Sequence, residues 1–387
     1  METLFDLLSI EKEKKAARLL LSDTQKTFAV EGWVPRTCSE DMKKRIEEEF
    51  ICHIEIREPG EDEQPPVLLS NPALVQPFEA VTQMYSLPSR SDIDPNPLIA
   101  PFFFLFFGIM MADAVYGTLM CIATAIAIKK WAPEGLSGKI VRLIFLGGIS
   151  TIIWGVVFGS WFGDLPKVLS GGQFIIRPLW FNPMENAVLM LVFSLGLGVI
   201  HILTGLFARA AILIRNKDYA GAVFDVFSWV LLLIGLLMLI PGGVTGQVGQ
   251  YMAIAGTGTI LLFAGRKHKN PVKRILSGLA GLYSISGYLS DILSYARLLA
   301  LGLATGVISS IINTMGAMFA KSVPGVLFFI FLLAFGTVFN IALNALGAFV
   351  HTSRLQYIEF FGKFYEGGGR AFVPFGGKTR YIRMNNN

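Results

Sequence analysis

Seven stretches of this chain are apolar over lengths that approach or exceed the ~20 residues a helix needs to cross a ~30 Å hydrocarbon core. They cover approximately 98–128, 140–162, 187–214, 221–240, 250–265, 275–320 and 324–363. In hydrocarbon, every backbone N–H and C=O must be satisfied within the protein, so stretches of this kind become helices. Charged residues make up 16% of the 387 against 53% hydrophobic ones, a balance that sets the chain apart from a soluble enzyme. It reads as an all-α polytopic membrane protein.

Charge placement gives the topology. Residues 1–97 carry a net charge of −8 and residues 98–387 a net of +13. The positive groups gather in alternate short connections. Loop 129–142 holds Lys129, Lys130, Lys139 and Arg142, and loop 215–220 is flanked by Arg209, Arg215 and Lys217. Loop 266–274 holds Arg266, Lys267, Lys269, Lys273 and Arg274, and the tail holds Lys363, Arg370, Lys378, Arg380 and Arg383. The connections between them, 163–186 and 241–249, are close to neutral. By the positive-inside rule the basic loops are cytoplasmic, a topology signal rather than a nucleic-acid footprint. The amino terminus, METLFDLLSIEKEKK, is amphipathic and charged, not a secretory signal. An acidic head of this kind belongs in the cytosol, so the number of crossings must be even. Segment 98–128 is therefore expected to be two short helices broken near MADAVYG (111–117), where Asp113, Gly108 and Gly117 interrupt the apolar run. That makes about eight membrane helices.

The last two segments are too long for one upright crossing. At 1.5 Å per residue they would run roughly 69 and 60 Å, so they must tilt strongly or project into the cytosol. Ahead of the membrane part, 2–22 reads as an amphipathic helix and FAVEGWVP (28–35) as strand-like. EDMKKRIEEEF then reads as a helix and CHIEIRE (52–58) as an alternating strand, together a small βαβ-like α/β unit. A linker with nine prolines between Pro59 and Pro101 follows. The expected division is 1–97, a partial cytosolic N-terminal domain; 98–274, a bundle of about six membrane helices; and 275–387, two long tilted helices with a cytoplasmic tail.

Ionisable groups inside a membrane are costly and mark either a pathway or a structural pair. Tyr283, Ser286, Ser290, Ser294 and Arg297 recur at spacings of three and four, one polar stripe on an apolar helix. Asn340, Asn344, Gly347, His351 and Arg354 repeat the pattern on the last helix, and the two stripes look like walls of an aqueous ion path. Simpler readings stand beside this one. A lone Ser or Gly is more simply explained by backbone bonding or helix packing. His351 suits interior hydrogen bonding as well as an ion path, and Asp291 could pair with Arg297 or Tyr295. Asp113, with Tyr116 three residues on, reads as a structural group at the helix break. Cys38, Cys52 and Cys121 have no metal-type spacing, and no hydrolase motif is present. GGKT (376–379) lacks the first Gly of a phosphate-binding loop, since Phe372 stands there. No metal, cofactor or nucleic acid is expected.

Several ordered motifs resemble those of subunit I, or subunit a, of the prokaryotic V/A-type rotary ATPases, the 116 kDa subunit family. They are GWVP (32–35), PPVLLSN with PFEAVTQMYSLP (65–88), DPNPLIAPFFFLFFGIMMADAVYG (94–117), WGVVFGSWFG (154–163), YLSDILSYARLLALGLATG (288–306) and HTSRLQYIEFFGKFYEGGGRAFVPF (351–375). The resemblance implies a non-catalytic stator subunit in a cell membrane, with both termini cytoplasmic. Its two long helices would lie against a ring of proteolipid subunits, each with an essential carboxylate, and two offset half-channels would carry H+ or Na+. Peripheral-stalk subunits would attach through the N-terminal domain, alongside central-stalk and other membrane-sector subunits and the surrounding bilayer. Arg297 and Arg354 match the ring-facing arginines. His351 matches a polar position one turn before the second arginine, and Asp291, Ser290, Ser294, Asn340, Asn344 and Glu359 complete the candidate ion-path residues. The family's acidic residue ten positions before the second arginine is Asn344 here, so an acid role does not transfer to it. Family members begin with a longer cytosolic region on two coiled-coil strands. Helix 2–22 resembles only the end of the returning strand, so the chain is expected to be a fragment, an incomplete gene product or half of a split gene. The competing readings are a secondary transporter with a midplane polar site, for which no internal repeat is visible, and a non-conducting assembly protein.

Overall fold

A computed structural model describes residues 2–18, 21–23, 26–60, 63–174, 176–239, 243–263, 265–266, 271–319 and 322–375. Their fold is predominantly helical and forms two compact units, the described residues of Met1–Leu69 with Gly368–Asn387, and those of Ser70–Gly367. GGKT and the basic residues beyond it lie outside the described residues.

In the first unit, α1 (Glu2–Arg18) carries Leu4, Phe5 and Leu7 with more than half of each side chain exposed. Strands β1 (Ser22–Asp23) and β2 (Phe28–Ala29) pair antiparallel, with Ser22 opposite Ala29. Helix α2 (Ser39–Glu49) starts where Glu40 and Asp41 meet the positive end of its dipole. The strand expected at 52–58 does not form. That segment is largely exposed and has no ladder partner among the described residues, because β2 pairs back to β1. Alternation alone does not hold a strand that has nothing to bond.

The second unit holds the membrane helices. The run 96–131 is two helices, α4 (Asn96–Met111) and α5 (Ala114–Trp131), after a short α3 (Glu79–Tyr85). The break falls at Ala112, with φ of 26°, and at Asp113, whose side chain caps α5. Then come α6 (Gly135–Phe158), α7 (Leu165–Leu169), α8 (Ala187–Arg215), α9 (Tyr219–Met238) and α10 (Gly243–Phe263). The two long elements are α11 (Leu276–Phe319, 44 residues) and α12 (Val323–Phe364, 42 residues). Among the described residues α6, α8, α9, α11 and α12 are long and apolar enough to cross a membrane, and α4 is a shorter apolar helix. The chain is an all-α polytopic membrane protein with a small additional N-terminal part.

Helix α4 is the hub. Ile99, Phe103, Phe106, Phe107 and Met110 are all at most 1% exposed, and they meet Leu143 on α6, Ile202 on α8, Leu298 on α11 and Leu355 on α12 in one core. Small residues set the spacing: a Cβ on Gly155 of α6 would collide with the backbone of Asp113 and Ala114 at the break. Helix α9 contains a π-helical stretch over Ala222–Phe227, and Asp225 within it forms a two-point ion pair with Arg266 at 2.5 and 2.8 Å.

The proline-punctuated segment 70–96 is a docked collar. Its Glu79, 3% exposed, accepts from Lys139 of α6 at 2.5 Å and from Asn71 at 3.0 Å. Asn71 also donates to Asp94, and Asn96 bridges Asp94 and Thr82. The collar is fastened at two further places. Arg215 of α8 donates to the Ser91 carbonyl, and Tyr357 and Tyr365 donate to the Val81 and Ser86 carbonyls at 2.8 and 2.7 Å.

Candidate functional site

The first polar assembly lies at the end of the bundle that holds the α4–α5 break and the connection 159–186. Asp113, 1% exposed, accepts five hydrogen bonds: from the amides of Val115, Tyr116, Phe162 and Gly163 and from the Ser160 hydroxyl. A carboxylate so fully occupied fixes the loop to the break and orients Tyr116. Beside it, Asp164 accepts from Ser310 at 2.7 Å and from Asn313 at 3.0 Å, and Asn313 also donates to the Phe162 carbonyl. One turn along α11, Ser309 lies 2.8 Å from the Tyr116 hydroxyl. Asn340 of α12 donates to both, at 3.2 Å to Tyr116 and 3.1 Å to Ser309. Asn344 then donates to the carbonyl and side-chain oxygens of Asn340. Asp164, Asn313, Ser309, Tyr116, Asn340 and Asn344 thus make a polar run from the loop into the interior between α5, α11 and α12. A cavity of about 270 Å³ opens beside it, lined in part by Ser160, Asp164, Lys167, Asn182, Glu185 and Gly306.

The second assembly surrounds the middle of α11, where Arg297 sits. One guanidinium nitrogen lies 3.4 Å from Glu359 Oε1 and another 3.4 Å from Ser294 Oγ. The Arg297 side chain is 23% exposed and that of Glu359 only 2%. A buried carboxylate with a single cation at that range is weakly compensated for a low-dielectric site. Toward the α12 terminus, Asp291 pairs with Lys363, whose ammonium also lies 4.2 Å from the Tyr288 ring centroid. Asp291 therefore reaches neither of the partners considered from sequence; Lys363 is nearer, and the Tyr295 hydroxyl is engaged with His201 Nδ1 at 2.7 Å.

The two stripes are not continuous walls. On α11, Tyr283, Ser286 and Ser290 face outward, while Ser294 is half-buried and donates to the Ser290 carbonyl at 3.1 Å. On α12, Asn340 and Asn344 face inward, His351 is half-buried with Nδ1 buried and unpaired, and Arg354 is exposed. Arg354 has no hydrogen-bond or ion-pair partner among the described residues. Sequence reading missed Lys363, His201, Gln356, Ser309, Asn313 and Asp164. The signal available for His201 was its place as one histidine in the apolar segment 187–214; Asp164 and Lys363 needed partners distant in sequence. Among the described residues, no group of three or more His, Cys, Asp or Glu side chains could hold a metal.

Residues 283–376, which carry Arg297, Arg354 and Glu359, match the V-type ATPase 116 kDa subunit family. The chain is 36% identical to the A-type ATP synthase subunit I of Methanocaldococcus jannaschii, over 97% of this chain and 59% of that protein. It is likewise 36% identical to the subunit of the same name from Thermococcus kodakarensis, over 98% of this chain and 58% of that one. A V-type ATP synthase subunit I from Chlamydia trachomatis is 24% identical over 95% of this chain and 64% of its own length. The chain spans about three fifths of the length of the archaeal relatives it matches. Ordered motifs, helical architecture and relatives agree: nearly the whole chain is similar to archaeal and bacterial ATP synthase subunit I, and its residues 283–376 match the V-type ATPase 116 kDa subunit family.

Proposed function

We propose that this chain is the stator membrane subunit of a rotary V/A-type ATPase, carrying H+ or Na+ between itself and a ring of proteolipid subunits. In this reading it crosses the cell membrane eight times with both termini cytoplasmic. It catalyses nothing itself; it couples ion flow to ATP synthesis or hydrolysis through its neighbours in the complex, with peripheral-stalk contacts through the N-terminal part.

The observation that carries the reading is Arg354, an exposed cation on a long apolar helix without a partner among the described residues. Lipid tails cannot satisfy a guanidinium, so a protein surface bearing negative charge must cover this face. A ring carboxylate is that charge: brought beside Arg354 and Arg297 in low dielectric, it is held ionised and must give up its ion before it passes. The polar run from Asp164 to Asn344 supports one half-channel. Ser290, Asp291, Ser294, Glu359 and Lys363 at the other end support the second, and His351 stands beside Arg354 between them. No hydrogen bond among the described residues joins the two assemblies, as a pump needs if ions are not to leak straight across.

The test is ATP-driven ion uptake into vesicles holding the complete complex. Arg297→Gln is expected to abolish uptake while the complex still assembles and binds its ring. Uptake at the wild-type rate would overturn the proposal.

A further inference from the structure

Around the buried side of the Arg297–Glu359 pair lies a group of polar atoms, contributed mainly by residues outside the proposed ion path. His201 of α8 is fully buried, its ring stacked on Phe360 and tilted against Phe102, with both centroids 4.3 Å away. Its Nδ1 is bonded to the Tyr295 hydroxyl at 2.7 Å, and Tyr295 in turn lies within the field of the Glu359 carboxylate. Gln356 belongs to the π-helical stretch Leu355–Phe360 of α12, and its amide lies within interaction range of the His201 ring without a well-aligned hydrogen bond to it. Four atoms here are buried without a hydrogen-bond partner: His201 Nε2, Gln356 Oε1, Gln356 Nε2 and Glu359 Oε2. Gln356 and His201 are 0% exposed and Glu359 is 1% exposed.

Each such atom left dry is costly, and the charged one most of all. Four such atoms on neighbouring residues point to a polar guest. Chemistry restricts what it is. Gln356 Nε2 is a donor and needs an acceptor, whereas Gln356 Oε1 and Glu359 Oε2 are acceptors and need donors. Water supplies both. A bare cation would serve the oxygens but leave the amide nitrogen unpaired, and it would sit against the carboxylate that already faces Arg297 at 3.4 Å. Both residues belong to the π-helical stretch Leu355–Phe360, from which Gln356 approaches His201 of α8 and Glu359 approaches Arg297 of α11.

We propose that His201, Tyr295 and Gln356 enclose ordered water that completes the hydrogen bonding of Glu359 and so fixes the direction in which Arg297 points. The three are positioning residues. Held at Oε2 by water, the Glu359 carboxylate presents Oε1 to Arg297 in one orientation. Without the water the carboxylate rotates toward whatever donor it finds, and the guanidinium is no longer aimed. The functional half of this inference rests on the proposed ion-translocating role of Arg297; the water site itself does not.

Two measurements test it. In a structure of the complete complex at a resolution that shows water, density is expected within hydrogen-bonding distance of both Gln356 and Glu359 Oε2. Direct pairing of Gln356 with Glu359 and no density overturns the site; so does density whose occupancy follows the sodium concentration, which marks a cation. The second compares Gln356→Leu, which keeps the volume and removes both amide atoms, with the wild type in vesicles. Assembly and ATP hydrolysis are expected to persist while ions moved per ATP fall at least two-fold, and His201→Phe should do the same. An unchanged ratio in both variants overturns the positioning role. If the ratio is unchanged yet Arg297→Gln abolishes uptake, the pocket fails and the translocation reading stands. If Arg297→Gln leaves uptake intact, that reading fails whatever the water density shows.

Discussion

Replacing Asp113 by alanine removes the acceptor of five hydrogen bonds at once, in a site that is 1% exposed. Hydrogen bonds in membrane proteins average about 0.6 kcal/mol by double-mutant cycles, which sets a lower bound near 3 kcal/mol for the set. Bonds to a charged acceptor are worth about 1.5–3 kcal/mol each where the donor is left dry, but neighbouring bonds do not add fully, so about 7 kcal/mol is a fair upper bound. Asp113→Asn separates the contributions. With its oxygen in the place of Oδ1, the bonds from Val115, Tyr116 and Phe162 survive, while its NH2 group confronts the Gly163 amide, a donor against a donor. The asparagine variant should lose about half as much as the alanine variant. Unfolding of the detergent-purified chain with increasing denaturant measures both, and hydrogen exchange locates the effect. The amides of Phe162 and Gly163 should lose protection first in Asp113→Ala, and in Asp113→Asn only Gly163 should. An alanine variant within about 1 kcal/mol of wild type would refute the claim that this carboxylate fastens the loop to the break.

The collar predicts a second asymmetry: Lys139→Met strands the buried Glu79 and should cost about 3–5 kcal/mol, whereas Glu79→Gln, which keeps the bond from Asn71, should cost less. Limited proteolysis within 71–92 reads this out, and equal sensitivity of the two variants would count against a buried ion pair. Glycine packing gives a third. Gly155→Ala places a Cβ against the backbone at the α4–α5 break and should destabilise by about 2 kcal/mol or more, while Gly258→Ala, in open space on α10, should be neutral or stabilise by up to about 1 kcal/mol. Thermal unfolding of both variants checks the ordering, and the reverse order would mean that α6 is not seated on the break.

Much of the helical plan was legible because hydrocarbon allows few alternatives. Apolar length located the two long helices to within a few residues, and Asp113 between two glycines marked the break because a carboxylate in an apolar run needs a cap to serve. The polar stripes were legible as spacing but not as surfaces. A 4-3-4-3 repeat averages 3.5 residues per turn against 3.6 for the helix, so its direction drifts by about 40° over two heptads. On α12 that drift, at the border of a bundle, contributes to Asn340 lying inside and Arg354 outside. Partners far apart in sequence were not legible. The Arg297–Glu359 pair spans 62 positions and the Asp291–Lys363 pair 72, and both depend on how α12 lies along α11. The failed strand at 52–58 has the opposite cause: its local pattern is sound, and what it lacks is a neighbour.

Arg297 and Arg354 carry the same charge in different settings, and the difference bears on how a pump of the proposed kind runs. Arg297 has an internal counter-charge: Glu359 shares its field, and in such a pump an arriving ring carboxylate would compete with that anion. Arg354 has none among the described residues, so in such a pump an arriving carboxylate would meet its whole charge. Two equally strong traps in series would hold the ring twice over, because an ion pair that forms in low dielectric is hard to leave. A counter-anion behind one of them lowers the depth of that trap while keeping a cation in the path, so the barrier to leakage persists and the ring can still move on. Glu359 is suited to this by being buried and set 3.4 Å from Arg297: close enough to offset its charge, and short of the tight contact that would neutralise it.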